Sequence, residues 1–458
     1  MKRKPEELKS DNDFSFPSDV LRRLKKIKPS AFSSSWSSIQ GVQPVLLNHR
    51  PAQAYDIPIY LYHPIFSDFM ALCESCQVDV QDEKFAVDIS VKMCEAFDNE
   101  DKRKKAFIDL IRNYLSDYSF NANKIGAYES DGHIMVTVKG EDIILAILEV
   151  KPEFGKGHGC AFVQATAYYS QHVVDASENQ LKYYQKTCCP VFILYLAGPF
   201  LGFAGAICTY LPVCDPLGPV IPLFYLPNEY PTMLRMAQTF KTFKQSIHNL
   251  HKSYLEKLSG SDNHVRQAAV FPYVQDFHSL GSSSSPRSFT YIQRLTDKRP
   301  LYVARLSDTA DHLVFVKFTM QYGLEAHVAA AEKGFAPALL GVDKLDRGWK
   351  LVVMEYLPDN KWRMLTDVDD KAGARDNVVT VMNSFHELGY VHGDLRGENI
   401  MIADDGQVKI IDFDWAGLAG QVRYPHFMNP QIQWHINAQP DELIQTEHDV
   451  YLLNSYFI

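Results

Sequence analysis

Apolar positions recur at helical spacing over Phe85–Phe97, Glu100–Leu115, Ala161–His172 and Met233–Leu258, which predicts four helices in the first 260 or so residues. Between them, Lys124–Tyr128, His133–Lys139 and Ile143–Val150 read as strands, so the order is mixed α/β. From Thr187 to Val213 there is no charged residue, and Val191–Cys208 is almost wholly apolar. That length would permit a membrane span. The run is broken, however, by Gly198, Pro199, Gly202 and Gly205 and lacks an adjoining basic flank. A buried strand Val191–Leu196, a tight turn at Gly198-Pro199 and a returning strand Phe200–Tyr210 is therefore the expectation, with no membrane partner.

The pattern changes at Gly281–Pro286, a Gly-Ser-Ser-Ser-Ser-Pro stretch with little side-chain area to bury. A second Ser-rich stretch, Ser33–Ser38, closes a basic arm. These breaks divide the 458 residues into an arm (1–56), an α/β domain (57–280), a linker (281–288) and a C-terminal domain (289–458). With 46% apolar and 22% charged residues, the chain can bury two sizeable cores and is not disordered as a whole. Its net charge of −9 argues against a protein that coats nucleic acid uniformly, though not against a local basic surface. The arm carries such clusters: Lys2, Arg3 and Lys4, then Arg22, Arg23, Lys25, Lys26 and Lys28, with no apolar secretory core between them. They resemble a bipartite nuclear-import signal, and a solvated polar tail is the equally simple reading. An intracellular protein is expected. All eight cysteines lie between Cys73 and Cys214, and the one C-x-x-C pair, Cys73 and Cys76, lacks a second pair at zinc-ligand spacing, so reduced thiols are the expectation.

The segment Gly389–Gly417 carries the most specific chemistry. Asp394 and Asn399 are five residues apart, and a hairpin Ile400–Ile411 turning at Asp405-Gly406 leads to Asp412 at a strand end. A carboxylate there stands at a sheet rim, where it can hold a metal bridging nucleotide phosphates. Asn399 can supply a second metal ligand, and Asp394 can accept the proton of an acceptor hydroxyl. This set resembles the protein-kinase catalytic loop and metal-binding motif, and the resemblance extends over about Phe289–Ile458. It implies a bilobal fold that binds ATP and Mg²⁺. Lys317 in VFVKF then looks like the phosphate-pairing lysine, Glu325 its helix partner, and Leu351–Leu357 with Glu355 the adenine-holding hinge. Departures are several. No Gly-x-Gly-x-x-Gly precedes Lys317, only eight residues separate Lys317 from Glu325, Gly393 stands for an arginine, Arg396 for a lysine, and Asp414 for the glycine of Asp-Phe-Gly. The His-Gly-Asp form is shared with aminoglycoside-phosphotransferase-like and other atypical kinases.

In the first domain, Ser130-Asp131-Gly132 precedes one strand and Glu149-Val-Lys151 closes the next. Strand alternation puts Glu149 and Lys151 on one face. With Asp131, and with Glu100 on the preceding helix, they could hold Mg²⁺ and orient a water for phosphodiester hydrolysis. Asp-x(n)-Glu-x-Lys, followed by a helix with Gln164, Tyr168 and Tyr169, resembles the PD-(D/E)xK restriction-endonuclease-like family. The fused order resembles fungal Crinkler-type effector or toxin proteins. The resulting expectation is a restriction-endonuclease-like α/β domain followed by a kinase-like domain that transfers a phosphoryl group to a protein hydroxyl, Ser/Thr favoured. The alternatives are a DNA nuclease regulated by its kinase-like domain, and a non-catalytic pseudokinase scaffold.

Overall fold

The computed structural model describes residues 47–48, 57–122, 124–125, 128–153, 159–174, 187–209, 212–259, 270–281, 285–296, 299–308, 312–368 and 370–457. The basic arm and its import-like clusters lie outside them. The chain forms two compact units, Met1–Val274 and Gln275–Ile458.

The first unit opens with helices α1 (Pro64–Ser75), α2 (Val80–Met93) and α3 (Glu100–Leu115). Each start is written locally. Asp79 accepts from the Gln81 and Asp82 N–H groups, and the Asp82 side chain returns the bond in a capping box. Asn99 accepts from the Lys102 N–H at 3.0 Å, which sets Glu100 in the first turn of α3. A short pair, β1 (Lys124–Ile125) and β2 (Tyr128–Glu129), precedes the main sheet of β3 (Gly132–Val138), β4 (Glu141–Lys151), β5 (Val191–Ala197), β6 (Phe200–Cys208) and β7 (Pro212–Pro216), in that spatial order. β3 and β4 are antiparallel, whereas β4 and β5 are parallel and are linked through α4 (Ala161–Val174). The charge-free stretch is the β5–β6 hairpin, in register from Val191↔Ala206 to Ala197↔Phe200. Nearly every side chain on these two strands is buried, so the absence of charge reflects a sheet covered on both faces. At Gly205 a Cβ would come within 2.6 Å of Ile59 and Phe66, which leaves only glycine for that close packing. A short strand β8 (Ile221–Pro222) and the long helix α5 (Tyr230–Ser259) complete the unit. Among the described residues no helix is long and apolar enough to cross a membrane.

The second unit has a six-stranded antiparallel sheet containing β9 (Asp276–Phe277), β10 (Arg287–Arg294), β11 (Leu301–Leu306), β12 (Leu313–Thr319), β13 (Leu339–Lys344) and β14 (Lys350–Glu355), in spatial order β13-β14-β12-β11-β10-β9. Helix α6 (Leu324–Glu332) follows β12. After β14 come β15 (Trp362–Met364), helix α7 (Lys371–Glu387), β16 (Tyr390–Val391), the hairpin β17 (Ile400–Ala403) and β18 (Val408–Ile410), β19 (Gly417–Leu418) and helix α8 (Thr446–Asn454). A single apolar cluster joins α6, α7 and the β17–β18 hairpin through Ala326, Ala330, Val378, Met382, Phe385, Ile400 and Phe413.

The expected linker requires correction. Asp276–Phe277 pairs with Arg287–Ser288, so Gly281–Pro286 connects two strands inside the second unit, and the boundary between units lies at Val274/Gln275. A two-residue strand carries too little periodicity to be seen in sequence. Its partner is set by the sheet it joins.

Candidate active sites

In the second unit, sheet and hairpin place Lys317, Asn399 and Asp412 around one cavity of about 390 Å³. Leu301, Phe315, Met354, Leu357, Met401 and Ile411 give it apolar walls, and Lys317, Asn399 and Asp412 line its polar end. The loop that carries Asp394 is held by Asp449 on α8. Its carboxylate accepts the N–H groups of His392 (2.7 Å) and Gly393 (2.8 Å) and contacts His386 Nε2 at 3.1 Å. Asp449 is fully buried, so these bonds are the compensation its charge requires. His392 donates from Nε2 to the Ile411 carbonyl (2.9 Å) and accepts the Asp394 N–H at Nδ1 (3.3 Å), tying the loop to the segment between β18 and Asp412.

Gly393 explains the missing arginine. Its φ is +81°, and a Cβ would lie 2.8 Å from Ile444 Cδ1. No side chain fits there. Arg396, in the place of the usual lysine, binds the Asp394 carboxylate by two bonds of 2.7 and 2.8 Å. Asn399 donates from Nδ2 to Asp394, 2.7 Å to the carbonyl and 3.1 Å to Oδ2, which leaves its amide oxygen for another partner.

Asp412 has φ +69°, a left-handed conformation that aspartate tolerates better than most residues and that is common where a site stores strain. Lys317 Nζ contacts Asp412 and is 2.7 Å from Asp414, and Arg299 reaches Asp412 at 3.2 Å. Burial alone would raise the Asp412 carboxyl. Lys317, then Arg299, outweigh it and hold the group well below the usual carboxylate range. Asp414 moves the other way, because burial and the adjacent Asp412 charge exceed the help Lys317 gives it.

The structure places Lys317 against Asp412 and Asn399 against Asp394, and it separates two residues from the positions expected of them. Glu325 is exposed in the first turn of α6, and the partners of Lys317 are Asp412 and Asp414, so the expected Lys317–Glu325 pair is not formed. Glu355 lies on the hinge, but its carboxylate is engaged with Lys409 (2.7 Å) and the Ala338 N–H (3.0 Å). Asp449, Arg299 and the pairing role of Asp414 were not assigned from sequence. Asp449 sits in a Glu-His-Asp run with no spacing cue, and Asp414 was visible only as a departure from Asp-Phe-Gly.

In the first unit, the four charged residues also converge. Lys151 Nζ is 2.8 Å from Glu149 and 3.7 Å from Glu100, and Asp131 accepts the Val150 N–H (2.8 Å) and meets Lys104 at 3.1 Å. Glu149 is buried, its Oε2 has no hydrogen-bond partner, and burial followed by the Asp131 charge pushes it up to about 8 despite Lys151. Tyr168 donates to the Glu129 carbonyl at 2.6 Å with Gln164 beside it at 3.5 Å, whereas Tyr169 points into the core and donates to Cys189 O. Among the described residues no three or more His, Cys, Asp or Glu side chains are arranged as a metal site. Both Asp131 oxygens are engaged, so Asp131 would have to exchange Lys104 or the Val150 amide for a cation.

Residues 345–417 match the RIO1 family, described as the RIO domain. Sperm motility kinase 3A of Mus musculus is 38% identical over 72 residues, 16% of this chain and 14% of that protein. Serine/threonine-protein kinase rio2 of Schizosaccharomyces pombe is 24% identical over 144 residues, 31% of this chain and 37% of that one. The chain thus spans about a seventh of the length of the mouse relative it matches. Among solved structures, the PK-1 kinase of Cydia pomonella granulovirus aligns with a TM-score of 0.31 at 16% identity, over 37% of this chain and 67% of that one. Vaccinia related kinase 3 aligns with a TM-score of 0.30 at 15% identity, over 40% and 67%. Family match, sequence relatives and site geometry agree that the second unit contains a protein-kinase-like domain.

Proposed function

We propose that the second unit transfers the γ-phosphoryl group of ATP to a protein hydroxyl, Ser/Thr favoured. The observation that carries this reading is the convergence of Lys317, Asn399 and Asp412 on one apolar-walled cavity, with Asp394 hydrogen-bonded to Asn399. The donor set suits Mg²⁺: Asp412 is held ionised, and Asn399, whose Nδ2 is turned to Asp394, lines the same cavity. When bound there, Mg²⁺ would neutralise phosphate charge. The hinge backbone at Glu355–Leu357 would hold the adenine, while Lys317 and Arg299 would contact phosphate oxygens. Asp394, oriented by Arg396, would accept the proton of the acceptor hydroxyl as its oxygen bonds to phosphorus and the bond to ADP breaks. The test is autophosphorylation and transfer to a generic protein acceptor by the full chain with ATP and Mg²⁺. ATP binding without turnover would favour a scaffold instead.

A second reading concerns the first unit, as a metal-dependent DNA nuclease of the restriction-endonuclease-like kind. It is favoured by the unpartnered Glu149 Oε2 beside Lys151, with Glu100 on the same side. A buried carboxylate kept short of partners is unfavourable without a ligand. Plasmid nicking in Mn²⁺ or Mg²⁺ that is lost in Lys151→Ala supports it, and nicking unchanged in that variant removes it.

A further inference from the structure

Lys317 is buried on β12, and were Asp412 to hold a metal, the ammonium would need a second carboxylate that stays with it. The helix that would ordinarily be asked for that carboxylate does not offer one. Its inward face presents Ala326, His327 and Ala330, while Glu325 points to solvent. His327 has both ring nitrogens engaged, with Tyr322 Oη at 2.6 Å and the Pro337 carbonyl at 2.8 Å, and stacks on Phe413 with ring centres 4.4 Å apart. The helix start is locked as well. The Gly323 N–H donates to Phe413 O at 2.8 Å, and a Cβ on Gly323 would lie 2.2 Å from the Ala416 carbonyl oxygen. Helix α6 is thus packed directly onto the Asp412–Ala416 turn, with an aromatic stack where a carboxylate would have to enter. The same turn supplies the carboxylate instead: Asp414, 2.7 Å from Lys317 Nζ.

We propose that Asp414 is the positioning residue for Lys317, orienting its ammonium toward nucleotide phosphate from the metal-binding turn rather than from the helix. This rests on the reading of the cavity as an ATP site. Its consequence is that the lysine and the metal ligand are aligned by one turn of chain. Movement of α6 is then not required to assemble the site, and Glu325 plays no part in it.

The experiment uses the full chain and its Asp414→Asn, Asp414→Glu and Glu325→Gln variants, each first checked for an unchanged thermal midpoint. Two readouts are taken: MgATP kinetics, and modification of Lys317 by a lysine-reactive ATP analogue followed by peptide mass spectrometry. Asp414→Asn should lower kcat about tenfold or more and Lys317 labelling by a similar factor, with the Mg²⁺ requirement unchanged. Asp414→Glu should recover most of both, and Glu325→Gln should match the wild type. Equal losses in Glu325→Gln and Asp414→Asn would overturn the assignment. So would a raised Mg²⁺ requirement in Asp414→Asn, which would make Asp414 a metal ligand, or Lys317 labelling that is absent in the wild type or indifferent to residue 414. If the wild type shows no turnover yet Lys317 labelling depends on Asp414, the positioning role stands and the phosphotransfer reading falls.

Discussion

Replacing Glu149 with glutamine should stabilise the metal-free first unit at neutral pH, although it removes a buried residue of the proposed nuclease site. The carboxyl is raised from 4.5 to about 8 by burial and the neighbouring Asp131 charge. Between those two values the folded chain retains a proton that the unfolded chain has released, so stability falls as pH rises through the window. At pH 7 the difference is about 3 kcal/mol, from 1.36 kcal/mol for each unit between 4.5 and 7, and it vanishes below pH 4. Glutamine carries no such linkage, and Glu100 and Asp131 remain beside Lys151 to compensate its charge. At about 2–4 °C per kcal/mol, the first-unit transition of Glu149→Gln should rise by roughly 6–12 °C at pH 7. Calorimetry of the full chain at pH 4, 7 and 8.5, with hydrogen exchange of peptides covering Glu141–Lys151 to identify the transition, reads this directly. Excess Mn²⁺ should then raise the wild-type midpoint and leave the variant unmoved. A variant less stable than wild type at pH 8.5 without metal would show that Glu149 is satisfied as an anion, and the site argument would fail.

Two further effects are expected in the second unit. Gly393→Ala should destabilise it by about 1–3 kcal/mol in urea denaturation, because the new Cβ meets Ile444 in a left-handed backbone, and an unchanged midpoint would mean the loop can shift freely. His327 is lowered to about 4 by burial, so the unfolded chain takes a proton that the folded one refuses, and about 2 kcal/mol of stability should be lost between pH 7.5 and 5. His327→Gln should flatten that part of the pH profile; an unaltered profile would place the loss elsewhere.

Elements with strong local periodicity were legible in the sequence. Glu100–Leu115 has the bounds its pattern and its Asn99 cap imply, and the charge-free stretch is the expected hairpin because Gly198 turns it. The candidate site could be read from sequence because Asp394 and Asn399 precede, and Asp412 follows, one short hairpin at fixed spacing. What failed depended on partners distant in sequence. Glu325 was chosen for Lys317 by order along the chain, but its carboxylate is decided by how α6 packs on Phe413, and Asp414 is 97 residues away. The expected linker, with its Gly281–Pro286 stretch, lies between β9 and β10, so a break there would divide the second unit's own sheet. Ser282–Ser284 lie outside the described residues.

The central claim, that the second unit is a working ATP phosphotransferase, is tested most directly by measuring MgATP affinity and phosphoryl transfer side by side in the wild type, Asp394→Ala and Asp412→Ala. Asp412→Ala should abolish Mg²⁺-dependent ATP binding, since Asp412 lines the cavity against Lys317 and is held ionised there. Asp394→Ala should bind MgATP nearly as the wild type does and lose about 10²-fold or more in turnover. Transfer unaffected in both variants, or equal loss of ATP affinity in both, would contradict the assignment of metal holding to Asp412 and proton acceptance to Asp394.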